Sequence, residues 1–187
     1  MGANEVLEFW FSKLTPADWF AKSDALDAQI KARFANLLEA CSAGECWQWR
    51  VHDALGQGSG GLGRLAEIIV LDQFSRNIYR DDPRAFALDS TALVLAQEAV
   101  ALGVDKTLST EQRSFLYMPY MHSESLSIHN QAMVLFDQPG LEKNYDFEVK
   151  HRDIIARFGR YPHRNAILGR QSTPEEALFL SQPDSSF

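Results

Sequence analysis

Residues 157–165 read RFGRYPHRN, which places Arg157, Arg160 and Arg164 within nine positions, with His163 among them. Arginine presents a planar fork of donors that grips a carboxylate or phosphate through two bonds. Histidine is the side chain whose proton exchanges near neutral pH. Such a cluster builds either a site for an anionic group or an internal ion-pair clamp. Twelve arginines stand against six lysines, and nine of the twelve fall in two stretches: Arg64, Arg76, Arg80 and Arg84, then Arg152, Arg157, Arg160, Arg164 and Arg170. Lysine serves mostly as a solvated point charge, so concentrated arginine points to fixed partners.

The earlier stretch contains LDQFSRNIYR, residues 71–80. On a helix Asp72, Arg76 and Arg80 stack at four-residue intervals, with Gln73, Asn77 and Arg80 on the adjoining stripe and Phe74 and Ile78 facing a core. That face reads either as a solvated stripe of ion pairs or as a recognition surface. In the later stretch Gly159 stands where a left-handed residue ends a helix, and Tyr161-Pro162 opens a short new one. Arg160, His163 and Arg164 then lie at a helix start, where the backbone already carries partial positive charge. Each such cation costs about 0.3–1 kcal/mol unless an anion answers it. Glu67, Asp72 and especially Glu124 are the acidic candidates.

His122, His151 and His163 are the near-neutral proton carriers, with Glu124 as orienter or base. The candidate catalytic set is therefore His122, Glu124 and His163. The candidate ligand-binding set is Asp72, Gln73, Arg76, Asn77, Arg80, His151, Arg157, Arg160, Arg164 and Asn165. His122 and His129 are seven apart, and no HExxH or similar pair appears, so no metal site is assigned. No GxSxG elbow marks a nucleophile, and no redox cofactor is called for. The glycine-rich run GQGSGGLG at 56–63 matches neither a P-loop nor a dinucleotide fingerprint, and reads as a connector. Cys41 and Cys46 match no zinc spacing and are too few for a disulfide framework; reduced thiols at a helix end are expected.

A net charge of −7 and a pI near 5.2 argue against general binding to nucleic acid or an anionic membrane. Apolar clusters such as IIVL at 68–71 are too short to span a bilayer. With no secretory signal at MGANEVLEFWF, the chain reads as cytoplasmic.

The elements that must position these residues are helical throughout. VLEFWF at 6–11 is a short amphipathic helix, Thr15-Pro16-Ala17-Asp18 opens a second, and Ser23 or Asp24 starts a long one ending near Gly44. RLAEIIVLDQFSRNIYR predicts one helix from Arg64, and Asp82-Pro83 opens another that runs to about Leu102. Ser109 to Gln112 is a capping box. Pro119 is expected to interrupt its helix, and Ser123 to cap the next one, carrying Glu124 and His129. A helix follows over about Leu141 to Phe158, and Thr173-Pro174 starts the last. Lengths and short turns predict an all-α fold, a compact array of antiparallel helical hairpins in one domain over 1–187, with 181–187 a frayed tail.

LDQFSRNIYR, PYMHSE and HRDIIARFGRYPHRN together resemble a bacterial family catalogued as a domain of unknown function. The resemblance runs from VLEFWF through TPEEALFL. It implies a tetratricopeptide-like helical fold and no established activity. The leading expectation is a protein binding a small anionic metabolite, bearing phosphate or carboxylate, in an Arg/His/Glu-lined pocket, with acid–base or hydrolytic chemistry if it is an enzyme. The alternative is a non-enzymatic interaction module for a peptide or protein partner, its Arg/His/Glu set locking two hairpins together.

Overall fold

The computed structural model describes residues 2–51, 61–183 and 185, and no strand occurs among them. Helix α1 (Ala3–Glu8) runs on into a π-helical stretch, Phe9–Lys13. The Asp18 carboxylate accepts from the Thr15 N–H and hydroxyl at 2.8 and 2.6 Å, opening α2 (Pro16–Trp19). Ser23 caps α3 (Asp24–Ser42). Helix α4 (Gln48–Val51) precedes residues 52–60, so most of the predicted glycine-rich connector lies outside the described residues.

A nearly continuous rod follows: α5 (Gly61–Ile68), a π-helical stretch Ile69–Phe74, and α6 (Ser75–Ile78). Leu65, Ala66, Ile68 to Leu71 and Phe74 are fully buried. A helix apolar on every side belongs in the middle of a core, and this rod is the centre of the molecule. Beyond a 3₁₀ turn, Pro83–Phe86, come α7 (Asp89–Ala101) and, after a second turn at Val104–Thr107, α8 (Thr110–Met121). The single helix predicted from Pro83 to Leu102 is thus split ahead of Asp89. Ser109 and Gln112 cap α8 reciprocally, as expected.

Pro119 sits inside α8 without stopping it; it forfeits the bond to the Phe115 carbonyl, and the burial of Ser114 to Met121 keeps the last turns in place. Helix α9 (Leu126–Phe136) starts after Ser125, so Glu124 lies in the connection His122–Ser125 and not on a helix. Helix α10 (Glu142–Phe158) ends at Gly159, whose φ of +68° is the left-handed cap expected there. A 3₁₀ turn, Pro162–Arg164, and α11 (Pro174–Leu180) complete the described chain, apart from the last few residues. Of the tail expected to fray, residues 184, 186 and 187 lie outside the described residues, while the Ser185 hydroxyl donates to the Leu180 carbonyl.

Neighbours in sequence pack on one another from α7 to α10, the pattern of consecutive hairpins. Phe74 joins the layers, with ring centroids 4.6 Å from Phe34 and 5.6 Å from Trp10. A smaller cluster of Ile154, Ile155 and Tyr161 lies under α10. Cys41 and Cys46 form a disulfide, with Cα atoms 4.9 Å apart, where reduced thiols were expected. The reason is local: Gly44, at φ +80°, turns the chain back onto the last turn of α3.

Candidate functional site

Asp72 is the most buried carboxylate of the arginine motifs, fully enclosed in the π-helical stretch of the central rod. A π-turn widens a helix by one residue, and such turns occur often at functional sites. The Asp72 oxygens have no access to water and are met from three directions. His122 Nδ1 lies 2.7 Å from Oδ1, Arg76 Nη1 donates to Oδ1 at 3.1 Å, and Gln73 Nε2 donates to Oδ2 at 2.6 Å. Burial works against ionisation, yet the charges of His122 and Arg76 outweigh it and hold Asp72 well below the usual carboxylate range. Burial first, then Arg76, holds His122 below its ordinary value, against the pull of Asp72. At neutral pH the pair is a carboxylate and a neutral imidazole. The acceptor at Nδ1 assigns the proton to that nitrogen and leaves the lone pair on Nε2.

Arg76 also grips Asp89, the first residue of α7, at 2.9 and 3.0 Å. An aspartate at that position is favoured by the helix dipole. Arg164, from the 3₁₀ turn after α10, donates to Asp89 Oδ2 at 3.2 Å and to the His122 carbonyl at 3.0 Å. Its guanidinium carbon lies 4.6 Å from the ring centroids of both Phe86 and Tyr161. Burial, then Arg76, depresses the Arg164 pKa despite Asp89, and Nε has no acceptor among the described residues. Arg76 and Arg164 thus share Asp72 and Asp89 between them, and that one Arg164 N–H is left without an acceptor among the described residues.

In front of these groups is a cavity of about 270 Å³. Asp89, Ser90, His122, Ser123, Glu124 and Arg164 form its polar wall, and Phe86, Leu93, Pro119 and Leu168 are prominent on the apolar side. Glu124 accepts from Arg170 at 2.6 and 2.9 Å and from the Tyr161 N–H at 2.8 Å. Burial opposes its ionisation, but Arg170 and that N–H keep it a carboxylate. In this geometry Glu124 braces the turn that carries His122.

Of the residues singled out from sequence, His122, Glu124 and Arg164 line the cavity, and Asp72, Gln73 and Arg76 stand behind them. The others lie elsewhere. Asn77 and Arg80 both donate to Asp27 on α3. Arg157 meets Glu175 at the surface, and Arg160 holds Glu176 with two bonds of 2.7 and 2.8 Å. Asn165 donates to Ser172 and Glu176. The His151 ring nitrogen Nδ1 pairs with the Phe147 carbonyl, and His163 lies beside Tyr161, outside the cavity lining. Pro162–Arg164 is only a three-residue 3₁₀ turn with His163 and Arg164 at its end, so these cations do not face the start of a helix as expected; Arg160 is answered by Glu176 and Arg164 by Asp89. Sequence reasoning missed both, together with Phe86. Asp89 was hidden inside an over-long predicted helix, and Glu176 showed only as a capping residue. Among the expected acids, Glu67 instead pairs with Arg50, at 2.7 Å.

Comparison with known proteins agrees with the motifs. Residues 6–184 match the family described as bacterial protein of unknown function, DUF924. A solved structure of a protein of unknown function, ATU0120 from Agrobacterium tumefaciens, is similar with a TM-score of 0.86 and 35% identity, covering 95% of this chain and 96% of that one. No curated protein matches the chain.

Proposed function

This chain belongs to that bacterial family of unknown function, and we propose that its cavity binds a small anionic molecule, with Arg164 holding the anion and His122 exchanging a proton with it. The observation that carries this reading is the Asp72–His122 pair. A buried carboxylate fixes Nδ1, so Nε2 is the ring nitrogen available to the cavity. A neutral imidazole oriented in this way is a general base, and acid–base or hydrolytic chemistry is the class it serves.

An anion has a donor to meet at this wall: the Arg164 Nε–H has no acceptor among the described residues, and burial above all makes His122 and Arg164 costly to keep charged without a partner. The remaining arginines support a second role alongside this one. Arg80, Arg157, Arg160 and Arg170 each have a carboxylate of their own, and they clamp neighbouring segments together. Clamp and site are then two parts of one network.

A thermal-shift screen over carboxylated and phosphorylated metabolites, run on wild type and Arg164→Lys, tests the proposal. Lysine keeps the charge but loses the fork. The expected result is a rise in wild-type melting temperature that is reduced or lost in the variant. A panel that leaves wild type unmoved removes the ligand reading and leaves the clamp.

A further inference from the structure

We infer that the cavity takes up a small carboxylic acid together with one proton, the carboxylate settling on Arg164 and the proton on His122 Nε2. This rests on the reading of the cavity as a ligand site and names the ligand's class.

Arg164 narrows the chemistry first. Phe86 and Tyr161 lie against its guanidinium, each 4.6 Å from the central carbon, so partners are met mainly along its edge. Two of its five N–H groups are spent on Asp89 and the His122 carbonyl. A planar carboxylate suits the donors that remain. A phosphate dianion suits them less, because Asp89 and Glu124 already put two carboxylates on the wall and a second ligand charge would face both. Phe86, Leu93, Pro119 and Leu168 provide an apolar surface for a hydrocarbon body.

The proton follows from His122. Its Nδ1–H is committed to Asp72, so in the neutral ring Nε2 offers a lone pair to an incoming oxygen anion, and the two repel. Protonated, the same nitrogen becomes a donor. The charged and titratable groups that face the ring are Asp72 and Arg76 from the central rod, Asp89 from α7, Glu124 from the turn after α8, His151 from α10 and Arg164 from the turn after it. Burial and then Arg76 oppose protonation, whereas Asp72 and Asp89 favour it. An added carboxylate tips that balance. No covalent bond breaks: the acid arrives as its anion, one proton leaves the buffer for Nε2, and the charge of the site is unchanged.

Benzoate is a suitable probe, since its own proton is lost well below neutral pH. Calorimetric titration in Tris and in HEPES, whose ionisation heats differ, reads the protons taken up. Wild type is expected to take up close to one proton per benzoate, with Kd rising about tenfold per pH unit above neutrality. Inorganic phosphate is expected to bind at least about tenfold more weakly, as a second ligand charge faces the wall carboxylates. His122→Gln, with its fold checked by circular dichroism, should lose the proton uptake and the pH slope. Benzoate binding without proton uptake, or uptake that persists in His122→Gln, overturns the inference while leaving a ligand site. Phosphate binding as tightly as benzoate overturns the assigned class. If neither probe binds saturably, the ligand-site reading falls and this inference falls with it.

Discussion

At the scale of single residues, the histidines show how burial sets charge. His151 is held down to about 3, by burial above all, and His163 to about 4, by burial and then Arg164. In the unfolded chain both return to near 6.5, so below that pH the unfolded state takes protons that the fold refuses. Stability contributed by neutral His151 and His163 is complete above pH 6.5 and is lost as the pH falls towards 4, by about 1.4 kcal/mol per pH unit for each group. Urea unfolding at pH 7.5, 6 and 5 should show this slope, and His163→Gln should make it shallower. Asp72, also held below its ordinary value but as the charged form, loses stability in the same direction, only in more acid solution. Asp72→Asn leaves the half-buried Arg76 with one carboxylate fewer and takes the anionic partner from His122. The expected loss is about 3 kcal/mol in a denaturant titration. A neutral outcome would mean that the pair contributes nothing to holding the rod in place.

At the scale of elements, the central rod depends on close approach. A Cβ added to Gly63 in α5 would lie 2.0 Å from the Trp49 carbonyl oxygen, a clash with backbone that cannot swing aside. Gly63→Ala should therefore destabilise by about 3 kcal/mol, read as a lower urea midpoint, even though alanine is the better helix former. The Arg50–Glu67 ion pair beside this contact ties the same two segments together. The Cys41–Cys46 disulfide closes the turn after α3, and in the chain-entropy account a loop this short is worth about 2 kcal/mol. Unfolding with and without reductant measures it. Equal stability in the two conditions would show that the turn is held by Gly44 and the packing of Cys41 and Cys46 alone.

Across the whole molecule, one aromatic cluster holds the π-helical stretch after α1, α3, the rod and α8 together. Phe74 touches Phe9, Trp10 and Phe34, and Trp10 meets Phe115 at 5.5 Å. Phe74→Ala removes a fully buried ring from that junction and should cost about 3–5 kcal/mol by chemical denaturation. The same substitution tests the coupling of core to cavity, because Asp72 is two residues away in the π-helical stretch. Among the described residues no helix is long and apolar enough to cross a membrane.

Helix periodicity and end signals are local physics, and they were legible in the chain. Thr15, Ser23, Ser109 and Thr173 open helices where their hydroxyls and the residues after them require it, and Gly159 ends α10 in the left-handed region. Anions near Arg160 and Arg164 were expected from a helix dipole that a three-residue 3₁₀ turn does not supply; the density of arginine in RFGRYPHRN was the sound part of that signal. Which anions answer was not legible, because the partners lie 16 residues from Arg160 and 75 from Arg164. The tertiary fold alone made those pairings, divided the LDQFSRNIYR face between Asp89 and Asp27, and brought Asp72 and His122 together across 50 residues. The π-helical stretch that holds Asp72 adds a residue locally and shifts the register that the 3.6-residue period predicts. Sequence specifies which side chains carry charge and where helices begin; the packing of distant helices decides which charges meet.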